Sequence, residues 1–541
     1  MILHTRSSFF ITTFVLYASA IIFATLALNA YFAQTWDAQT FIQAARQLLD
    51  GNPFDLYAQS RAAQTWPYAY PPLHAIVVAL ALVIGDATHI LPDFIWARVP
   101  ALIADIGVAY ALYRVVLKKS NDGALARIGF LAGLFNPVTF YNTAVQAHFE
   151  SEWIFFVLLA FIAFESGRGI FLPTIFLAIA VLFKQTAIVY AMMMWLTMSL
   201  RGAERSEATK QSANCGLRIA DFGKNIAASS LLPTIFSFFV FLFIALAICS
   251  PFILYSNDFV FMNLTYVEQV PVQTVSWLVG VLGLTRAAPD ALTSDFFLLR
   301  YSTWITLAAA AIISFIAARR GWSLWQTGIV VTLAFFLLSR KVMGYYYVML
   351  TPFMLAEFLP RRRFDLILFA IIAAAFIHLA PYDAAWTEPA HWWIYALIGT
   401  AASAVWVWLF AQVARANTES TNEMPKTKSS PRSLIIISLG LFSAALLAAL
   451  FQPLIANNGS PIRAPILAPG LEIIAWRAFG ALIALTLIAL AIFTRATRAW
   501  GTLSRRALIA PLIFLLVTFA VYTLTKETTA IVEVILKGLG L

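Results

Sequence analysis

Charge and cysteine are both scarce in this chain. Only 11% of its 541 residues are charged, whereas about a quarter of the residues in a soluble globular protein carry charge. The chain has 2 cysteines, Cys215 and Cys249, far apart in the sequence. They provide neither a disulfide framework nor the spacing of a metal site. These shortages exclude an ordinary soluble domain and a small disulfide-stapled secreted one.

Apolar residues take the place of charge: 61% of the chain is hydrophobic, in runs that recur along its length. A helix needs roughly 20 apolar residues to cross a bilayer core of about 30 Å. The runs are continuous and not alternating, which argues against a barrel. We therefore predict an all-α polytopic integral membrane protein with about 14–15 membrane-spanning helices. The predicted spans are residues 9–33, 95–117, 126–143, 153–167, 170–183, 186–200, 228–254, 300–318, 323–339, 345–359, 364–381, 391–413, 433–454, 472–493 and 507–525.

The basic residues predict the orientation. The net charge is +10, and lysine and arginine cluster in segments between spans, which is typical of cytoplasmic loops. This explanation removes the need for a nucleic-acid partner. One apolar run, residues 70–85, does not fit the alternation, and we interpret it as a helix that dips into the membrane without crossing. The polar segments at 34–70, 144–152, 255–299 and 339–347 then share the extracytoplasmic side.

A polar stretch divides the chain near its last quarter. Residues 413–432 lack apolar runs and are typical of a flexible segment. We predict a transmembrane catalytic core at 1–412, a flexible cytoplasmic linker at 413–432 and a three-span extension at 433–541.

Asp37 follows directly on the first span. Apolar residues then recur at helical spacing through Leu49, between polar residues such as Gln43 and Arg46. This pattern predicts a short helix that lies parallel to the membrane surface. A carboxylate is favoured in the first turn of a helix by its free N–H groups. Asp37 is therefore either a simple cap or a functional acid.

Further polar residues gather on the same predicted side. Ionisable groups at membrane depth are costly, and they usually line a cavity or a substrate path. A snorkelling lysine or a solvated acid is the alternative for each of them. Acids and bases together at one face favour a pocket with one catalytic carboxylate and cations for a phosphate. These residues are His148, Glu150, Glu152, Lys184, Gln185, Arg340 and Lys341.

A series of motifs resembles a known superfamily. In chain order they read WDAQTF, YAYPPLHAI, RVPALIADIGVAYALYRVVLKK, FNPVTFYNTAVQAHFESEW, LFKQTAIVY and FFLLSRKVMGYYYVMLTPF. Together they resemble the GT-C glycosyltransferases, above all the dolichyl-phosphate-glucose-dependent glucosyltransferases of N-glycan assembly and bacterial mannosyltransferase-like relatives. The similarity extends over residues 9–360.

The resemblance implies a many-span GT-C fold with membrane-parallel helices in the first external loop and an active site at the outer face. It implies inverting transfer of a hexose, mannose or glucose, from a polyprenyl-phosphate carrier to an acceptor, with Asp37 as the catalytic general base. Preorganised cations would offset the charge that grows on the leaving phosphate, and an aromatic ring would stack on the sugar. The implied substrate-binding residues are His148, Glu150, Lys184, Gln185, Arg98, Tyr70, Arg340 and Lys341.

No cofactor is expected: the lipid-linked sugar donor is a co-substrate, and a phosphate monoester leaving group needs no metal ion. The expected partners are a polyprenyl-phosphate sugar, membrane lipid, and an acceptor that is a glycolipid, a lipid-linked oligosaccharide or another glycan. We expect a bacterial cytoplasmic (inner) membrane protein with an extracytoplasmic active site. The competing prediction is a polytopic transporter or lipid flippase, although such proteins commonly show internal repeats and the two halves of this chain show none.

Overall fold

The computed structural model describes residues 2–31, 36–63, 66–197, 199, 219–266, 301–339, 342–379 and 392–416. These residues are largely helical and include no β-strand. Among them, four helical stretches are long and apolar enough to cross a bilayer: Asp93–Ser120 and Gly123–Ala144, each of which contains a short break, and Pro233–Tyr255 and Ser302–Arg319. The predicted all-α polytopic membrane architecture is confirmed. The predicted three-span extension and most of the linker lie outside the described residues.

We number the helices in chain order. They are α1 (Ile2–Tyr31), α2 (Trp36–Asp50), α3 (Leu56–Ala63), α4 (Leu73–Thr88), α5 (Asp93–Trp96), α6 (Val99–Ser120), α7 (Gly123–Leu134), α8 (Pro137–Tyr141), α9 (Glu150–Glu165), α10 (Phe171–Phe183), α11 (188–197), α12 (Ile219–Tyr255), α13 (Asp258–Val260), α14 (Ser302–Arg319), α15 (Leu324–Leu338), α16 (Leu350–Phe358), α17 (Phe364–Leu379) and α18 (Trp392–Arg415).

The core of the bundle lies where α9, α15 and α16 meet. Gly328 of α15 faces two aromatic rings, and a Cβ at this position would come within 3.1 Å of both Phe161 and Phe353. That distance is shorter than the optimal carbon–carbon separation of about 3.5–4.0 Å. The missing side chain therefore allows the three helices to approach one another closely.

Basic residues cluster at one end of the bundle. Lys119, at the end of α6, lies 3.4 Å from Glu357 of α16, and Arg362 lies 3.3 Å from Asp122. The 22-residue α6 begins after Arg98 at the opposite end. At 1.5 Å per residue it is about 33 Å long, which is close to the thickness of a bilayer core. The two ends of α6 therefore lie at opposite membrane surfaces.

Residues 36–63 form a layer at the end of the bundle where α6 begins. On α2, Ala38, Phe41 and Ala45 are buried while Gln39 and Gln43 are exposed, so the predicted amphipathic helix is present. Its buried side packs along α4. The 16-residue α4 is about 24 Å long, which is shorter than a bilayer core of about 30 Å. Helices α9, α10 and α15, which were predicted as spans, are no longer than α4, so the non-crossing path of α4 stays a prediction.

Two predicted spans are interrupted. The span predicted at 126–143 changes direction at Asn136, whose Oδ1 accepts a hydrogen bond from the Val138 amide and so starts the short α8. The span predicted at 345–359 begins as a 3-10 turn, Gly344–Met349, and becomes α-helical only at Leu350. Irregular backbone at membrane depth is tolerated where it is buried in protein, and Asn136 and residues 345–349 are buried.

Candidate functional site

Four of the predicted residues lie next to one another in a row, which we call the polar chain; His148 Nδ1 makes no hydrogen bond within it. Asp37, in the first turn of α2, has its Oδ2 3.0 Å from Nε2 of His148. His148 Nδ1 lies 3.9 Å from Oε1 of Glu150. The same Glu150 oxygen accepts a short hydrogen bond from the ammonium of Lys184. The sequence places these residues as far as 147 positions apart, and the fold joins them.

Lys184 owes its position to a helix break. α10 ends at Phe183, and Lys184 is extended, with φ −153° and ψ 129°, before the 3-10 turn that starts α11. Its side chain is 1% exposed and lies among four aromatic rings, with Nζ 4.3 Å from the centre of Tyr346 and 4.7 Å from that of Tyr345. Lys184 is therefore a buried cation with a carboxylate and π-faces around it, and it does not snorkel.

Glu150 and His148 each contact an aromatic residue as well. The indole N–H of Trp153 donates to the second Glu150 oxygen. The imidazole of His148 stacks on the Tyr345 ring at 3.7 Å between ring centres. The sequence placed His148 and Glu150 in a polar segment between two spans; both are buried, and α9 starts at Glu150.

The backbone just before His148 has an unusual conformation. Asn142–Gln146 form a π-helical turn, a feature often found at functional sites. The next residue, Ala147, has a left-handed φ of 58°. This conformation costs a non-glycine residue roughly 1–2 kcal/mol. The His148 amide then donates to the Asn142 carbonyl at 2.9 Å, so the π-turn directly fixes where His148 lies.

Gln185 and Tyr70 lie beside this chain. Gln185 Nε2 donates to the Ala69 carbonyl and to Asn263 Oδ1, both at 3.0 Å. The Tyr70 ring lies 5.2 Å from the Lys184 ammonium. The structure thus brings both predicted residues to the site.

The other predicted cations are placed differently. Arg98 is 1% exposed. It donates to the backbone carbonyls of Ala144 at 3.0 Å and Phe94 at 2.6 Å. These contacts hold the π-turn against the start of α6. Arg340 and Lys341 lie outside the described residues, so their phosphate-binding role stays a prediction. In the described part of the chain, no group of three or more histidine, cysteine or acidic residues is arranged to hold a metal ion.

Two buried polar groups near the site were not among the predicted site residues. His74 of α4 has its Nδ1 2.9 Å from Oε2 of Glu152, and its ring stacks on Phe149. Asp105 of α6 accepts hydrogen bonds from three hydroxyl groups. The available signal was the position of His74 and Asp105 inside apolar helices, since ionisable residues there are rare.

The fold and the site define a polytopic helical membrane protein with a buried polar chain at one end of its bundle. A family of GT-C-like multi-span membrane proteins is similar to it: the family described as GPI transamidase subunit PIG-U matches residues 63–282. The match covers less than half of the chain; it includes the site residues from Tyr70 to Gln185 and leaves out Asp37. A comparison with curated proteins finds no match.

This match corrects the functional prediction. A GPI transamidase subunit belongs to a complex that attaches lipid to protein; it is neither a hexosyltransferase nor a transporter or flippase. The predicted hexose transfer with Asp37 as general base, and the competing transport prediction, are therefore wrong. The resemblance to dolichyl-phosphate-glucose-dependent glucosyltransferases and mannosyltransferase-like enzymes holds only at the level of the GT-C-like architecture. Motifs that produce helix breaks and the layer formed by residues 36–63 do not by themselves define which reaction a protein carries out.

Proposed function

We propose that this protein is a membrane-embedded subunit of a complex that attaches a lipid to protein, and that its polar chain from Asp37 to Lys184 binds the headgroup of that lipid. The similarity to a GPI transamidase subunit supports the first part. One observation carries the second part: the Asp37 side chain is 39% exposed, while that of its partner His148 is 0% exposed. The polar chain therefore opens to water at one end and is closed inside the protein at the other.

The chemistry of the open end favours a glycan. A carboxylate such as that of Asp37 accepts several hydrogen bonds, and sugar hydroxyl groups supply donors. Tyr70 is partly exposed and offers an aromatic face, since aromatic residues commonly line such sites. The Lys184 ammonium is already paired with Glu150, which disfavours an anionic group there. A glycosylphosphatidylinositol-class lipid, with several sugars in its headgroup, fits these requirements.

The site faces the extracytoplasmic side in this proposal. Basic residues favour the cytoplasmic side of a membrane, and Lys118, Lys119 and Arg361–Arg363 lie at the end of the bundle opposite to the site. A location in a bacterial inner membrane stays a prediction, as does a polyprenyl-phosphate lipid as partner.

Lipid retention in nanodiscs tests the proposal. The full chain is reconstituted with either a glycosylphosphatidylinositol or plain phosphatidylinositol, and the retained lipid is quantified by mass spectrometry. We expect the glycan-bearing lipid to bind better, and Asp37→Asn to weaken its binding by about tenfold or more, because a hydrogen bond to a charged group contributes about 1.5–3 kcal/mol. Gln43→Ala, on the exposed side of the same helix, is the matched control. Equal retention of the two lipids, or unchanged binding by Asp37→Asn, would overturn the headgroup assignment.

A further inference from the structure

Asp105 is a buried acid that lies outside the polar chain. It lies in α6 and is 1% exposed. In the described part of the chain it has no ion-pair partner; its hydrogen bonds come from the hydroxyl groups of Tyr17, Thr143 and Ser151. Burying a carboxylate without a cation is costly. The three hydroxyl groups that donate to Asp105 offset this cost, and each of them is thereby fixed in position.

Those three hydroxyl groups belong to three different elements. Tyr17 is on α1, Ser151 is in the first turn of α9, and Thr143 is in the π-turn. The Tyr17 and Thr143 hydroxyl groups both contact Oδ2 of Asp105 at 2.7 Å. Asp105 therefore links the π-turn to α1 and to α9.

Arg98 reinforces the same turn one residue further along. Its Nε donates to the Ala144 carbonyl at 3.0 Å, and the Thr25 hydroxyl of α1 donates to the same carbonyl at 3.1 Å. From the far side, Asn142 Nδ2 donates to the Tyr345 carbonyl at 3.0 Å. The turn is thus held at residues 142–144, and the left-handed Ala147 follows its last residue, Gln146.

We propose that Asp105 and Arg98 are positioning residues that hold the π-turn so that His148 faces Asp37 and stacks on Tyr345. Released from these contacts, Ala147 relaxes from its left-handed conformation and His148 leaves Asp37. Arg98 then acts through the backbone and does not contact the ligand. The importance of this alignment for lipid binding rests on the proposed function, but the alignment itself is measured without any ligand.

Two matched variants test the proposal. Thr143→Val and Tyr17→Phe each remove one hydroxyl donor to the same Asp105 oxygen, but only Thr143 belongs to the π-turn. The readout is the ¹⁵N spectrum of the full chain with labelled histidine; the chain has 6 histidines, and the His148 signal is assigned by its loss in His148→Gln. We expect Thr143→Val to change the His148 signal to that of an imidazole averaging between tautomers, Tyr17→Phe to leave it unchanged, and Thr143→Ser to restore it.

A merely structural role for Asp105 predicts a different pattern. Both variants would then lower the thermal midpoint, and neither would alter the His148 signal selectively. An unchanged His148 signal in Thr143→Val, or the same change in both variants, would overturn the proposal. Exposed His89, at the far end of α4, provides an internal reference in each spectrum. If the alignment changes as expected while glycolipid retention does not, the positioning role stands and the proposed headgroup function fails.

Discussion

Glu150 and Lys184 form a buried ion pair within the polar chain. Both side chains are 1% exposed. Removing one partner of a buried ion pair leaves an uncompensated charge in a medium of low dielectric constant. Removing both partners leaves no unpaired charge. A comparison of the two single variants with the double variant therefore separates the contribution of the ion pair from general damage to the core.

We predict that Lys184→Met lowers the free energy of unfolding by about 3–5 kcal/mol, because Glu150 is left buried without its cation. The double variant Lys184→Met with Glu150→Gln is expected to be more stable than Lys184→Met alone, since glutamine keeps a hydrogen-bond acceptor for Trp153. Unfolding in mild detergent, followed by tryptophan fluorescence, measures all the variants. Additive losses in the double variant would show that the two side chains do not stabilise each other.

At this scale the sequence predicted which residues gather but not how they pair. Asp37, His148, Glu150 and Lys184 were recognisable as polar groups at one face of a membrane protein. That Lys184 neutralises Glu150 depends on the break after Phe183 and on the inward turn before α9. Neither geometry has a local sequence signal strong enough to fix side-chain direction, so the sequence did not predict that Lys184 is paired with Glu150.

Some helix breaks were predictable from the sequence and others were not. The amphipathic α2 and the break at Lys184 followed from the spacing of apolar residues. The interruptions at Asn136 and at Gly344–Met349 were missed, because a short apolar run does not distinguish a straight span from a kinked one. The second interruption lies beside the polar chain, since the ring of its Tyr345 stacks on His148.

Close helix approach at Gly328 gives a prediction at the element scale. Gly328→Ala is expected to destabilise the protein by about 1–3 kcal/mol, because the added methyl group overpacks against Phe161 and Phe353. Gly123→Ala is the matched control, since a Cβ there meets nothing within 4 Å and alanine is favoured in helices by up to about 1 kcal/mol. Thermal unfolding of the two variants in the same detergent makes the comparison. An equal response from both would contradict the close contact of α9, α15 and α16.

For the molecule as a whole, the sequence predicted the architecture but not the function. Composition and hydropathy were sufficient for the polytopic helical class, and the GT-C-like resemblance was confirmed at that coarse level. The activity was mispredicted because polar residues at an outer face suit headgroup binding as well as sugar transfer. Asp37 illustrates this: a carboxylate that accepts a histidine hydrogen bond has the same sequence signature as a general base.

The most direct test compares two reactions in one membrane preparation. Membranes from cells that make the wild-type chain, the Asp37→Asn variant or no chain are assayed for lipid attachment to a reporter protein. They are also assayed for transfer of radiolabelled hexose from a polyprenyl phosphate. Our account predicts that lipid attachment is lost without the chain and reduced in the variant, while hexose transfer is the same in all three. Loss of hexose transfer with lipid attachment intact would contradict it.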